Sequence, residues 1–289
     1  MDMVTILDSF QTPFFSSAPK IRVRDPVHSW VTDTLAATST AGTAEGVDFL
    51  GVAITAPARL SNNTMIFSKA VVVSDRERES NVAGIRDMYE HQVMKAFKEL
   101  ARNYEATVFA SSASATASGD VSTPIPPRMG GFRTFAIWAS GGSGTAVVSA
   151  DITRLSEQMY TGGAEPDSIW FSPPSKRQFV SNVAGTAVNT RNIAAADKRI
   201  IANVDIYETP FGQIFAVITD RFIVCNTVTA QGAYYIGDRS LAKVGLFRPP
   251  QHKPMGKGGD HTRGLVLMEA TFQIDHPSAW GVMSGVTNA

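Results

Sequence analysis

The side chains that most often perform catalysis or bind metals are few in this sequence and lie far apart. Its 289 residues include five histidines and one cysteine. A zinc site of the HExxH type needs a second histidine one helical turn away, and the pair Glu90-His91 has none. The glycine-rich segment 141–149 lacks the lysine of a phosphate-binding P-loop. We therefore predict no enzymatic activity, with no catalytic residues, no metal site and no cofactor.

Cys225 is the only cysteine, which excludes a disulfide within the chain. It lies in the apolar segment 222–226, and we interpret it as a small buried hydrophobic residue, with a reactive nucleophile as the alternative. The first ten residues lack the positive charge of a signal peptide. No apolar run approaches the roughly 18 residues of a membrane helix. We expect a protein that is made and kept in the cytoplasm and does not contact a membrane.

Basic side chains are the remaining group whose spacing suggests a chemical role, namely contact with phosphate groups or with an acidic surface. Five of them lie between positions 243 and 263, where Asp260 is the single acid. Three more lie near the amino terminus. An exposed, solvated loop is the alternative interpretation for both groups. The residues concerned are Lys243, Arg248, Lys253, Lys257 and Arg263 in the first group and Lys20, Arg22 and Arg24 in the second.

The whole chain has no charge excess, because 26 bases balance 26 acids. A dedicated nucleic-acid-binding module is therefore disfavoured. Charged residues make up 18% of the sequence, whereas about 25% is usual for globular proteins. This deficit indicates surface that partners cover.

The elements that must position these side chains follow from the apolar spacing. A single helical stripe over 82–110 predicts one long helix, with Ser80 or Asn81 as its N-cap. Segment 45–75 favours a hairpin that turns at Asn62-Asn63. Segment 111–127 predicts a linker. Segment 166–183 predicts a strand, an N-cap at Ser172 and a helix. We also expect a hairpin that turns at Thr209–Gly212 and a final strand over 264–275. The fold class is α+β.

The amino-terminal segment 12–36 is different, because it carries large aromatic residues without a period of 2 or 3.6. Its order Thr12-Pro13-Phe14, Pro19-Lys20, then Trp30, Asp33 and Leu35 resembles the arm of major capsid proteins of tailed bacteriophages with the Hong Kong 97 fold. The branch it resembles is typified by the elongated-head coliphage capsid protein. Further similar stretches are 73–110, which includes Glu105, and 162–183, 207–221 and 265–286.

The resemblance implies a division into an arm, a loop and two domains. It implies an N-terminal arm over 1–48, an extended loop over 49–80, and a peripheral domain with a long spine helix over 81–140. An axial domain with adjoining helices would cover 141–240, and the chain would return to the peripheral domain over 241–289.

The resemblance also suggests why the arm carries large side chains. An arm lying on a neighbouring subunit buries them there, and folding back onto their own domain is the alternative. The expected inter-subunit contacts are Phe14, Phe15, Pro19, Trp30 and Leu35. The basic residues named above would face the shell interior or a contact between capsomers.

The implied function is that of a major capsid protein, a structural protein of the virion head that is assembled in the host cytoplasm. Many copies would form the hexamers and pentamers of an icosahedral or prolate shell around double-stranded DNA, which the shell contacts weakly. The implied partners are the portal protein and decoration or scaffolding proteins. A nanocompartment shell of the encapsulin type is the first alternative, and an α+β enzyme or ligand-binding domain is the second.

Overall fold

The computed structural model describes residues 12–36, 38, 40, 42, 45–46, 56–80, 85, 87–116, 125–139, 147–184, 204–223 and 231–287. The helices are α1 (Pro13–Ser17), α2 (Asp75–Glu79), α3 (Met88–Ala110), α4 (Phe132–Phe135), α5 (Ser149–Thr161) and α6 (Pro173–Phe179). The strands are β1 (Lys20–Arg22), β2 (Val27–Thr32), β3 (Ala58–Asn63), β4 (Met65–Ser74), β5 (Ile137–Ala139), β6 (Ser168–Phe171), β7 (Ile206–Glu208), β8 (Ile214–Thr219), β9 (Gln231–Gly237), β10 (Ala242–Met255), β11 (His261–Ile274) and β12 (Trp280–Thr287). Helices and mixed sheets alternate irregularly along the chain, as the predicted α+β class requires.

A four-stranded sheet with the order β1-β10-β11-β4 forms one half of the described structure. Its centre is the antiparallel pair β10 and β11, each 14 residues long. β4 pairs antiparallel with β11, and the arm strand β1 pairs parallel with β10. The sheet therefore joins strands from the beginning and the end of the chain.

The long helix α3 covers one face of this sheet. Leu100, Tyr104 and Val108 of its predicted stripe are buried, and Tyr104 packs edge-on against Phe67 of β4. The helix begins at Met88, where Asp87 accepts a hydrogen bond from the Tyr89 N–H. The predicted N-cap at Ser80 or Asn81 is therefore wrong, and the helix starts later because Asp87 caps it.

A six-stranded sheet with the order β5-β12-β9-β6-β8-β7 forms the second half. One of its faces packs against α5 and α6, and the opposite face packs against the core beneath α3. Two local predictions are confirmed here. Ser172 caps α6 by accepting from the Ser175 N–H, and β7 and β8 form a hairpin around Thr209–Gly212, with Gly212 at φ 78°.

The predicted hairpin turn at Asn62-Asn63 is wrong. β3 pairs antiparallel with β2, whereas β4 pairs with β11, so the two strands that flank this point belong to different sheets. Asn62 is buried at the change of sheet, and its amide group donates to the carbonyls of Gly130 (3.0 Å) and Phe272 (2.7 Å). Its Oδ1 accepts from the Gly130 N–H at 2.7 Å. The asparagine thus connects distant segments instead of reversing the chain.

Candidate functional site

The arm is fixed to its own chain by Phe14, which α1 places in the centre of the molecule. Pro13 opens this short helix, and Phe14 is 1% exposed. Its ring makes edge contacts, with centroids 5.3–6.1 Å apart, to four aromatic rings from α3, α4, β6 and β11. These rings are Phe109, Phe132, Trp170 and Phe272. The expectation that a neighbouring subunit buries Phe14 is therefore wrong, because its own chain provides the surrounding core.

Glu105 completes the contact between α3 and the arm. Its carboxyl oxygens accept hydrogen bonds from the backbone N–H groups of Phe14 and Phe15, both at 2.7 Å. Glu105 is fully buried, and burial together with the neighbouring carboxyl of Asp220 raises its pKa to about 9. We call Glu105 and the four rings around Phe14 the arm-anchoring site.

Asp220 follows the last residue of β8 and is also buried. Its Oδ1 accepts from the Phe222 N–H at 2.8 Å. Burial raises the pKa of its carboxyl, and the hydrogen bond from Phe222 opposes that rise. The resemblance included Glu105, but no local pattern marked Asp220, because only the folded chain brings β8 to α3.

The other aromatic residues of the arm also contact their own chain. Trp30 is buried, stacks on His28 at 5.6 Å and meets the Phe135 ring edge-on at 5.5 Å. Phe15 is half-buried against Tyr104, and the Lys20 ammonium lies 4.9 Å from its centroid. The expected burial of Trp30 on a neighbour is therefore wrong as well, and its own β2–β3 sheet and α4 cover it.

The remaining arm residues of the prediction face solvent. Pro19 is exposed, although its carbonyl accepts from the Val244 N–H of β10 at 2.9 Å. Leu35 is 99% exposed. On β2 the side chains alternate between two sides. Trp30 and Thr32 point inward, whereas Val27 (46% exposed) and Val31 (64% exposed) point outward. We call Val27, Val31 and Leu35 the arm row.

The basic residues between 243 and 263 do not form one cluster. Three of them bind acids of the same chain: Lys243 binds Asp275 (2.5 Å), Arg248 binds Glu269 (2.6 Å), and Lys257 binds Asp75 (2.7 Å). Arg263 donates to the Gly256 carbonyl at 2.7 Å. Lys253 is exposed opposite Leu265 of β11, and Lys20, Arg22 and Arg24 are exposed near the amino terminus.

A second exposed apolar surface lies on the four-stranded sheet, on the face turned away from α3. Ile66 and Val72 of β4 and Met255 of β10 are exposed there. β4 is an edge strand in the part of the chain that the structure describes. Lys69 points to the opposite face, where it forms an ion pair with Glu99 of α3. We call Ile66, Val72 and Met255 the outer sheet patch.

Two described clefts lie beside α3. The smaller, of about 200 Å³, lies beside its N-terminal half, and Lys69, Glu77, Lys95 and Glu99 are the ionisable residues that line it. The larger, of about 410 Å³, lies beside the C-terminal half of α3, and Arg128 is the only ionisable residue that lines it. Within the described ranges, no three His, Cys, Asp or Glu side chains are placed to hold a metal ion. No described helix is long and apolar enough to cross a membrane. Cys225 lies outside the described residues.

Comparisons with known proteins agree with this architecture. The family model for the SU10 major capsid protein matches residues 1–287. The major capsid protein of Escherichia phage Phieco32 is 24% identical over 327 residues, covering 97% of this chain and 91% of that protein.

Three solved structures show the same fold at low identity. A chain of Microbacterium phage Oxtober96 has a TM-score of 0.66 and 14% identity, covering 99% of this chain and 94% of that one. The capsid of a native GTA particle has a TM-score of 0.64 and 12% identity, with 99% and 93% covered. The holo-SrpI encapsulin complex from Synechococcus elongatus PCC 7942 has a TM-score of 0.63 and 12% identity, with 100% and 92% covered. The predicted Hong Kong 97 capsid fold is confirmed, and the chain belongs to the SU10 major capsid protein family.

Proposed function

We propose that this chain is the major capsid protein of a tailed bacteriophage, and that many copies assemble into the icosahedral or prolate head that encloses double-stranded DNA. The observation that supports self-assembly best is the two-sided arm. One side is fixed to its own subunit through Phe14 and Trp30. The other side presents the arm row to solvent.

The arm row is suited to a neighbouring copy because its aliphatic side chains are between 46% and 99% exposed in the single subunit. Burying one such side chain contributes roughly 1.5–3 kcal/mol before the costs of association are subtracted. In a shell the same contact repeats at every subunit, so modest contributions accumulate. On β2, Val27 and Val31 lie on the opposite side of the strand from the buried Trp30. One strand can therefore contribute to both the core and the interface.

The outer sheet patch is a second surface that we assign to contacts between copies. Its exposed Ile66 and Val72 lie on an edge strand, where a neighbouring chain can approach the sheet. Lys253 lies on β10 of the same sheet, and Lys20, Arg22 and Arg24 lie near the amino terminus. We propose that these four exposed bases face the shell interior or a contact between capsomers. Lys243, Arg248, Lys257 and Arg263 remain within this proposal. An acid of their own chain neutralises each of the first three, and Arg263 donates to the Gly256 carbonyl.

The proposed organisation follows the Hong Kong 97 pattern. Residues 1–48 form the arm, 49–80 the extended loop, 81–140 and 241–289 the peripheral domain, and 141–240 the axial domain with its adjoining helices. Copies would group into hexamers and pentamers, with a portal protein and decoration or scaffolding proteins as partners, and assembly would take place in the host cytoplasm. Packaged DNA would contact the shell weakly, since the net charge of the chain is zero.

A nanocompartment shell that encloses protein cargo is the second candidate. It is favoured by the structural similarity to the holo-SrpI encapsulin complex, with a TM-score of 0.63. The sequence relationship to a phage capsid protein over 97% of the chain favours the first candidate. The material that co-purifies inside the particles distinguishes the two, because a phage head retains DNA and a nanocompartment retains a protein.

Electron microscopy of the full chain expressed alone tests self-assembly. We expect closed shells from the wild-type protein, and a loss of shells for Val31→Asp, which places a charge in the arm row. Val31→Thr is the matched control, because it keeps the β-branched shape without a charge. If Val31→Asp shells form at the wild-type yield, the arm row is not an interface. If circular dichroism shows that Val31→Asp is unfolded, Leu35→Asp repeats the test at a side chain that is 99% exposed.

A further inference from the structure

Glu105 and Asp220 are buried acids whose carboxyl groups lie within hydrogen-bond reach of each other. Both Glu105 oxygens accept N–H groups of the arm at 2.7 Å. Asp220 Oδ1 accepts from Phe222, whereas Oδ2 is buried and meets no ordinary donor among the described residues. Two ionised carboxylates placed together without water would repel each other and leave Oδ2 without a donor. A proton between the two groups supplies the missing donor.

The charged and titratable groups near this pair come from α3, the segment after β8, and β1. The α3 helix contributes Tyr104, whose hydroxyl donates to the Thr271 carbonyl at 3.0 Å. It also contributes Arg102, which lies 5.3 Å from the centroid of the Phe222 ring. Arg221 is exposed beside Asp220 after β8, and Lys20 of β1 lies over the Phe15 ring. The α1 helix carries no charged side chain, so α1 contributes only its N–H groups.

We propose that Glu105 and Asp220 share one proton and together form a pH-sensitive positioning site for the arm. In the protonated pair, Glu105 accepts from both arm N–H groups and donates to Asp220 Oδ2. This arrangement connects α1, α3 and the end of β8. Loss of the proton places two negative charges in contact, and the pair relaxes by separating. The contact that yields is the one between Glu105 and the α1 N–H groups, because its Phe15 side is only partly buried and water can solvate the separated carboxylates there, while the Phe14 ring keeps its place in the core.

The direction of the pKa shifts agrees with this geometry. Burial is the main cause of the raised pKa of Glu105, and the Asp220 charge adds to it, whereas the N–H groups of Phe15 and Phe14 oppose it. In the unfolded chain Glu105 titrates near its ordinary pKa of 4.5, and in the folded chain near 9. The folded state therefore binds more protons between these values, so its free energy of unfolding is largest at the acidic end and declines as the pH rises towards 9. We assign the first local loss to the arm contact, because that contact is made by Glu105 itself.

Hydrogen exchange of the unassembled full chain, followed by mass spectrometry and corrected for intrinsic exchange rates, tests the proposal. We expect protection of the Phe14 and Phe15 amides to fall by about tenfold or more between about pH 6.5 and 9.5, while protection of β10 stays constant. Glu105→Gln keeps a neutral side chain that donates to Asp220 and accepts from one arm amide. Its arm protection should be lower than that of the wild type at neutral pH and nearly independent of pH.

Two further variants make the outcome decisive. Asp220→Asn removes the like charge and donates an amide hydrogen to Glu105, so the fall of its arm protection with pH should be smaller than in the wild type. Glu90→Gln is the control, because Glu90 is an exposed acid of the same helix, and this variant should keep the wild-type pH dependence. A flat wild-type profile, or a wild-type slope in both Glu105→Gln and Asp220→Asn, would overturn the proposal.

The inference rests on the proposed function only for the arm's part in building a shell. Shell yield is therefore measured separately, by electron microscopy of the same variants. Absence of shells from the wild-type protein would count against the proposed function and leave the exchange result unaffected. If Glu105→Gln does not fold, the pair Asp220→Asn and Glu90→Gln still decides between a shared proton and two independent acids.

Discussion

Phe14 and Val31 belong to the same arm but differ in burial. Phe14 is buried among four rings, whereas Val31 is 64% exposed on the outward side of β2. Deleting residues up to Ala18 would remove a core ring along with a segment of the arm. Such a deletion would confound folding with assembly, whereas a substitution at either residue separates them.

Phe14→Ala should destabilise the unassembled subunit strongly. Phe14 is 1% exposed, so the change leaves a cavity the size of its ring in the core. Removing a buried phenylalanine side chain typically lowers the free energy of unfolding by about 3–5 kcal/mol. The free energy of unfolding, measured by urea denaturation of the unassembled subunit, checks this value.

Phe211→Ala is the matched control for that measurement. Phe211 is also aromatic, but it is exposed in the β7–β8 turn and stacks on Tyr160 at 6.1 Å. A single exposed aromatic pair contributes about 1 kcal/mol, so the control should lose far less stability. Equal losses for the two variants would mean that α1 is not part of the subunit core.

Among the elements, those defined by local patterns could be predicted and those defined by distant pairing could not. The α3 stripe, the Ser172 cap and the turn at Thr209–Gly212 depend on residues within a few positions of each other, and all three are confirmed. The turn at Asn62-Asn63 fails because the partner of β4 is β11, about 200 positions along the chain.

The candidate site shows the same limit. The sequence identified the arm but not which side of it is free, because that depends on how β2 pairs with β3. The predicted aromatic contacts Phe14 and Trp30 are internal, and the sequence did not identify the exposed Val27 and Val31, which we propose as contacts instead. Asp220 could not be linked to Glu105 before β8 was placed beside α3.

Asn62→Ala should loosen the junction between β3, β11 and the segment before α4. The Asn62 amide satisfies three buried backbone groups, namely the N–H and carbonyl of Gly130 and the carbonyl of Phe272. Each buried polar group left without a partner costs about 1–3 kcal/mol. We expect a large drop in the melting temperature of the unassembled subunit, measured by differential scanning calorimetry.

The neighbouring residue provides the control for the junction. Asn63 is only half-buried, and its amide donates to the Ser114 hydroxyl at 2.8 Å. Asn63→Ala should therefore lower the melting temperature much less than Asn62→Ala. A larger effect at Asn63 would show that the β2–β3 sheet is held mainly through Ser114 and not through β11.

For the whole molecule, the balance of charges and the position of its exposed apolar residues favour assembly by burial of apolar surface. The net charge is zero, so copies neither repel nor attract each other strongly at long range. The arm row and the outer sheet patch are aliphatic, and their contacts would strengthen on warming in the temperature range where the hydrophobic effect is entropic. Three of the five bases between 243 and 263 are already paired within the chain, so this segment offers fewer cations for contacts that salt would weaken.

The dependence of assembly on salt and temperature should therefore have a definite pattern. We expect the critical concentration for shell formation, measured by light scattering, to fall on warming from about 5 to 25 °C, because apolar burial weakens on cooling. Raising sodium chloride from about 0.05 to 0.5 M should change the critical concentration by no more than about threefold, because screening acts mainly on exposed charge pairs.

Lys253→Glu tests the exposed base on β10, and Lys253→Gln is its neutral control. The critical concentration of the wild type could instead rise steeply with salt, and the rise could disappear in Lys253→Gln. That result would show that an ionic contact at Lys253 helps to hold neighbouring copies together.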